Sequence, residues 1–440
     1  MSAATRPSND PFVHQWMPFT ANRQFLEQPR LIARAEGVYY YTTRGEKLLD
    51  GSSGLYCIPL GHGRREIREA VTKQMEELDY APPFQYGVPA AFKLAAEVAE
   101  LTPPGLNRIM FSGSGSEAVE SALKVALQYH RARGEGQRTR FIGRERGYHG
   151  VNFGGWSVGG MVNNRKAFGV GLPGVSHLRH TLIKENLFEM GEGTHGADLA
   201  DDLERFVNLH GADTIAACIV EPIAGSTGIL VPPKGYLKRL REICTKHGIL
   251  LIFDEVITGF GRTGQAFAAQ TFDVTPDIMT MAKALTNGSI PMAAIAVRED
   301  IQQTILDSAP PNTVEFYHGY TYSAHPVACA AGLATLKIYR EEDTFGQARA
   351  LAPTFLEQIA SFKGMPDVID TRGHGLLGAV ELAPKGKPGE RGFKILCRGF
   401  EEGLVLRAAG DSIVLAPPYV ATPDQLGQMI EIMRKLIAES

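Results

Sequence analysis

The sequence predicts an α/β protein: a large domain on a mainly parallel sheet, followed by a smaller α/β domain. Three observations predict it. Residues from about 64 to 330 alternate helix-period segments with apolar runs, the order expected of strands joined by crossover helices. The stretch Gly248–Gly259, "GILLIFDEVITG", holds five successive apolar residues, which read as a strand buried on both faces. Beyond about residue 330 the segments become shorter and mixed.

Taken in order, residues 1–60 carry no crossover pattern and read as an N-terminal arm and part of the small domain. Residues 61–330 form the large domain. Its first helix starts near Arg65 with Ile67, Val71, Met75 and Leu78 as the apolar stripe, and a later one carries Leu237, Leu240 and Cys244 and stops at Gly248. Strands are expected at Arg108–Phe111, Arg140–Ile142, Ala216–Val220, Ile249–Phe253, Ile278–Met281 and Ala293–Val297. Residues 331–440 form the C-terminal small domain, whose last helix opens on Thr422-Pro423-Asp424-Gln425, a capping box with proline at the first helical position.

Composition narrows the function. The 440 residues include 45 basic and 48 acidic ones, a balance that gives no electrostatic footprint for nucleic acid or a membrane surface. The ligand is expected to be small. Five scattered cysteines without a C-x-x-C spacing argue against a disulfide framework and a zinc site, and "HLRH" at 177–180 lacks further ligands for any metal. With no apolar N-terminal segment or membrane-length run, a cytoplasmic location is expected.

In open α/β sheets ligands sit beyond the carboxyl ends of the strands, so the residues that follow each strand matter most. The Ile249–Phe253 run enters Asp254 and Glu255, carboxylates that need a positive partner or a shifted pKa once stripped of water. The run ending at Phe111 enters "SGSGSEA", where small residues at a helix start can offer free N–H groups to a phosphate, although a serine-capped glycine turn would read the same way. Lys283 follows the apolar "DIMTM", where desolvation would leave the neutral amine that a Schiff-base lysine needs. Taken alone it also reads as a lysine snorkelling from a strand end. Aspartate, lysine and phosphate-type helix start together describe pyridoxal 5'-phosphate (PLP), which has a ring nitrogen, an aldehyde and a phosphate to match them.

The motifs "SGSEA" (114–118), "GYHG" (147–150), "VEP" (220–222), "DEVITGFGRTG" (254–264), "AKALTNG" (282–288) and "TYSAHPVA" (321–328) run through most of the chain. In this order they resemble the class III aminotransferases of the type I PLP fold. "DGSSGLYC", "DYAPPFQYG", "VEPIAGSTG" and "HGYTYSAHPVACAA" most resemble the β-alanine:pyruvate, or ω-amino acid:pyruvate, branch.

The resemblance implies a ping-pong transfer of an amino group from β-alanine, another ω-amino acid or an amine to pyruvate, through pyridoxamine phosphate. It implies that Lys283 bonds the cofactor aldehyde and then moves a proton, while Asp254 pairs with the ring nitrogen. Val256 and Tyr148 would pack on the ring, and Ser114, Gly115 and Ser116 would hold the phosphate. Thr321 would reach that phosphate from a neighbouring subunit, making a homodimer or homotetramer with shared sites. Arg407, in "LVLRAAGDSIVL", would grip a substrate carboxylate. Tyr56, Phe84 and Tyr86 would form an aromatic substrate wall or serve as ordinary packing. Relatives usually carry tryptophan where Tyr56 stands.

Two alternatives stay open at this level. One is another class III PLP reaction, as in a 4-aminobutyrate aminotransferase, a decarboxylase or an aminomutase. The other is a nucleotide-binding or regulatory module that uses only the Ser112–Glu117 turn.

Overall fold

A computed structural model describes residues 10–440 of the chain. Its centre is a seven-stranded sheet in the order Arg108–Ser112, Ala293–Val297, Ile278–Met281, Leu250–Asp254, Ile215–Val220, Arg140–Arg144, Val175–Leu178. All neighbours are parallel except Ala293–Val297, which is antiparallel to both strands beside it. Ile215–Val220, Leu250–Asp254 and Ile278–Met281 are buried throughout, which explains why they read as largely apolar runs, broken only by Asp254 and Thr280. The expected Ile249–Phe253 strand is displaced by one residue, so Asp254 is itself the last strand residue. Val175–Leu178 had no sequence signal, because a four-residue edge strand containing Ser176 and His177 lacks an apolar run.

Helices cover both faces of this sheet. The Gly115–Ala132 helix buries Ala118, Val119, Ala122, Leu123, Val125 and Ala126 against one face, and Tyr236–His247 buries Leu237, Leu240 and Cys244 on the other. The latter ends at Gly248, whose φ of 65° is the left-handed conformation that a helix stop favours. The stripe expected on Arg65–Glu77 is only half right. Ile67 is buried, but Met75 is exposed and Leu78 lies beyond the helix end.

A second hydrophobic core lies in the C-terminal part. An antiparallel sheet there runs in the order Val368–His374, Leu377–Leu382, Ser412–Leu415, Arg407–Ala409, backed by Thr344–Ala360 and by Pro423–Ala438. The capping box on the last helix forms, with Gln425 N donating to Thr422 Oγ1 and Thr422 N to Gln425 Oε1. Residues of the N-terminal segment share this core. Ile32–Glu36, Tyr39–Thr42 and Lys47–Asp50 form a meander that Leu404–Val405 extends as a parallel strand, and Val38 and Leu49 pack beside Leu404 and Ile413. A division at 330/331 cuts through the helix Pro326–Glu341. Ala331, Leu336, Ile338 and Tyr339 of that helix belong to the large core, so the change of core follows Glu341.

Candidate active site

The carboxyl ends of five strands that run in the same direction face one cavity of about 330 Å³. Gly113–Ser116, Tyr148–Gly150, Glu221, Asp254, Val256 and Lys283 line it, each just beyond or at a strand end. Five motifs distant in sequence thus meet where the topology predicts a ligand.

Asp254 is 5% exposed. Its Oδ1 accepts from Thr280 Oγ1 at 2.9 Å and from Val256 N at 3.2 Å, and Oδ2 lies 2.8 Å from His149 Nδ1. Thr280 is its register partner on the adjacent strand, which is why that hydroxyl is in reach. A carboxylate oxygen can accept two hydrogen bonds, so Oδ2 keeps capacity for one further donor from the cavity.

Lys283 starts a short 3-10 turn, Lys283–Thr286, with φ at 47°. A non-glycine residue in this region is held by its surroundings and is a frequent mark of a functional site. Burial pushes its ammonium pKa down, with Arg407 acting the same way and with Cys57, Asp254 and Glu221 opposing. The outcome favours a neutral, nucleophilic amine.

At the other end, Ser114 caps the Gly115–Ala132 helix, its Oγ accepting from Glu117 N at 3.3 Å. Glu117 in turn accepts from Gly113 N at 2.6 Å, and Ser116 Oγ accepts from Val151 N at 3.1 Å. The first-turn amides of Gly115 and Ser116 have no helical acceptor and meet the positive end of the helix dipole. Gly115 is needed for close approach: a Cβ there would stand 3.1 Å from Val256 Cγ1.

Two acids and a histidine gained no catalytic role in the sequence reading. Glu221, fully buried, accepts from Tyr148 N and Gly225 N, and burial raises its pKa to about 7 with nearby Asp254 adding to the rise. Glu255, the second carboxylate of the strand end, turns away from the cavity. It accepts from Thr258 Oγ1, Ala268 N and Ala269 N, yet burial still raises its pKa to about 7. His149 is buried against Asp254, and its Nε2 has no hydrogen-bond partner among the described residues. Their signal was position within "VEP", "DEV" and "GYHG", immediately after strands.

The remaining expected residues divide. Val256 and Tyr148 line the cavity with Lys283 and Asp254. Tyr56 and Arg407 stand behind it: Tyr56 is buried with its hydroxyl 3.3 Å from Gly225 O, and Arg407 Nη2 donates to Ser226 O at 3.0 Å. Phe84 and Tyr86 do not reach this cavity. They are 53% and 73% exposed and border a separate hollow with Phe92 and His318. Thr321 is also exposed and outside the cavity, with its carbonyl accepting from Tyr80 Oη.

The residues present fit PLP. An amine without a carboxylate hydrogen bond, a carboxylate with a free lone pair and a helix start with free amides line one cavity, and glycine leaves room beside that helix start. The family comparison decides the class: Aminotransferase class-III matches residues 20–437. The chain is a class III aminotransferase. Members of this family are PLP-dependent. The chain is 53% identical to an omega-aminotransferase of Caulobacter vibrioides over 426 residues, 96% of this chain and 97% of the relative. It is 48% identical to the beta-alanine–pyruvate aminotransferase of Pseudomonas aeruginosa over 419 residues, covering 94% and 93%. Among solved structures, the omega transaminase from Pseudomonas jessenii in complex with PMP superposes with a TM-score of 0.92 at 33% identity, covering 97% and 96%. The fold is therefore that of the type I PLP enzymes. Among the described residues no helix is long and apolar enough to cross a membrane.

Proposed function

We propose that this aminotransferase moves the amino group of β-alanine, another ω-amino acid or a simple amine to pyruvate, using PLP held in the cavity around Lys283 and Asp254. One observation carries the reading: a single cavity holds a desolvated lysine, an aspartate and a helix N-terminus. When bound there, PLP supplies an aldehyde for the amine and a ring that accepts the electron pair left when a C–H proton departs.

The chain's own residues do the rest. Asp254 would keep the ring nitrogen protonated, while Thr280 and His149 fix the carboxylate. The Gly115 and Ser116 amides and the Ser114 and Ser116 hydroxyls bind the phosphate. Val256 and Tyr148 pack against the ring. Lys283, whose burial favours the neutral amine, would take the proton from the substrate carbon and return it to the cofactor side. Arg407 receives the substrate carboxylate. Its hydrogen bond is to a neutral carbonyl and its Nε has no partner among the described residues, so an incoming anion is the stronger acceptor.

We assign the active species to a homodimer or a homotetramer, in a cytoplasmic setting. Thr321, Phe84 and Tyr86 are exposed beside Phe92, Tyr317 and Tyr322, a surface suited to a second copy that would bring Thr321 to the partner's phosphate. Mixing Lys283→Ala chains with Thr321→Ala chains tests this. Sharing predicts heterodimers with one intact site and recovered activity, and no recovery contradicts it.

The activity is tested by loading the enzyme with PLP and supplying β-alanine, 4-aminobutyrate or 1-phenylethylamine with pyruvate or 2-oxoglutarate. The expected product is alanine, formed in step with the donor's aldehyde or ketone. Carbon dioxide without alanine would indicate a decarboxylase, rearranged amine an aminomutase, and glutamate alone a different acceptor.

A further inference from the structure

The segment Ser53–Tyr56 is a single left-handed helical turn. Ser53, Gly54, Leu55 and Tyr56 have φ of 48°, 55°, 63° and 69°, and Cys57 N still donates to Ser53 O at 2.8 Å. Three of the four carry a Cβ, so the turn is disfavoured by itself and must be held from outside. The holders are visible. On one side Ser53 Oγ donates to Ala416 O, Gly51 N to Val405 O, and Asp50 Oδ1 accepts from Ser52 N and Oγ. On the other side Asn287, 6% exposed, accepts from Leu60 N with Oδ1 and donates to Gly61 O with Nδ2, each at 3.0 Å.

Asn287 ends the Lys283 turn. Its own φ is 48°, a region asparagine tolerates, and the following Gly288 N donates to Lys283 O. A Cβ on Gly288 would stand 3.0 Å from Cys57 Cβ, so the stretch that follows the left-handed turn, Cys57 to Gly61, both packs against and hydrogen-bonds the residues that close the Lys283 turn. Cys57 lines the cavity with Lys283, and Tyr56 stands just behind it.

We propose that Asn287 is a positioning residue that latches Leu60 and Gly61, just after the left-handed Ser53–Tyr56 turn, to the end of the Lys283 turn, so that the Tyr56–Cys57 wall of the substrate pocket and the reacting lysine are set together. This rests on the reading of Lys283 and the cavity given above. Without the latch the left-handed turn relaxes, the half-buried Cys57 becomes more accessible, and the wall no longer shapes the pocket for the amine.

The test uses PLP-loaded Asn287→Gly, which keeps the permitted φ and removes only the side-chain bridge. Carbamidomethylation of Cys57 by iodoacetamide, followed by peptide mass spectrometry, should accelerate about tenfold or more, since each lost net hydrogen bond is worth roughly a factor of ten. The amine KM should rise several-fold with kcat less affected. Adding Leu55→Asn, which eases the left-handed backbone, should slow the labelling again. Because labelling does not depend on the reaction, it separates failure of the latch from failure of the aminotransferase reading. Unchanged Cys57 labelling in Asn287→Gly, or no slowing by Leu55→Asn, would overturn the proposal. If Asn287→Gly does not fold, Asn287→Asp, which keeps the acceptor for Leu60 N and loses the donor to Gly61 O, gives a smaller acceleration on the same readout. No acceleration there overturns it equally.

Discussion

The cavity end of the site and the Arg407–Tyr56 end behind it are built differently. Around Asp254 the polar groups are buried and registered by parallel strands, and at the half-exposed Gly115 helix start they are fixed by hydrogen bonds within the turn. Around Arg407 and Tyr56, the contacts are single bonds to loop carbonyls, from a hairpin of the small domain and a strained turn. A rigid end suits a group that stays through every turnover. A loosely held end suits two substrates that come and go in turn, one carrying its carboxylate beside the reacting carbon and the other far from it or lacking it.

The difference can be broken most severely at the shared point. Lys283→Ala removes nucleophile and proton carrier together and should lower multiple-turnover transamination by at least about 10⁴-fold, consistent with general-base and covalent contributions combined. The variant should still bind PLP through Asp254 and the helix start, measurable by absorbance after gel filtration. Near-wild-type cycling would exclude Lys283 from the chemistry. Asp254→Asn, nearly isosteric, should leave the fold intact and slow both half-reactions by several orders of magnitude, since a neutral amide no longer favours a protonated ring. Unchanged stopped-flow rates would remove Asp254 from the mechanism. Arg407→Ala should cost less, about 30- to 1,000-fold in the pyruvate half-reaction, as for loss of one charged hydrogen-bonding partner.

The smallest effect concerns stability. Glu221 has a folded-state pKa raised from 4.5 to about 7 by burial, so the native state binds the extra proton and is favoured at low pH. That contribution is lost as pH rises from about 4.5 through about 7, by about 3 kcal/mol at most. Glu221→Gln should therefore gain in Tm relative to wild type between pH 5.5 and pH 8. A Tm difference independent of pH would show that Glu221 does not carry the proton.

The rigid end was also the legible one. Buried parallel strands advertise themselves as apolar runs, and whatever follows them is at the site, so Asp254, Lys283 and Ser114–Ser116 could be read directly from sequence. Glu221 and His149 were visible in the same positions, but a pairing of His149 with Asp254 depends on how the turn after Arg144 folds back. The loose end was hidden for a physical reason. The left-handed Ser53–Tyr56 turn has only one glycine, so its local sequence does not announce its backbone, and tertiary contacts impose it. Phe84 and Tyr86 look like pocket aromatics in sequence, but within one chain they lie on an exposed surface. Val175–Leu178 and the continuation of the large core to Glu341 escaped because short edge strands and helix ends carry weak periodicity.

The most direct test of this two-ended account is the ratio of kcat/KM for the pyruvate half-reaction to that for a carboxylate-free amine, measured by stopped-flow in Asp254→Asn and Arg407→Ala. The account predicts that Asp254→Asn lowers both terms and leaves the ratio near wild type, whereas Arg407→Ala lowers the ratio about 30-fold or more. Equal losses for both substrates in Arg407→Ala would contradict it, and would mean that the carboxylate is received elsewhere.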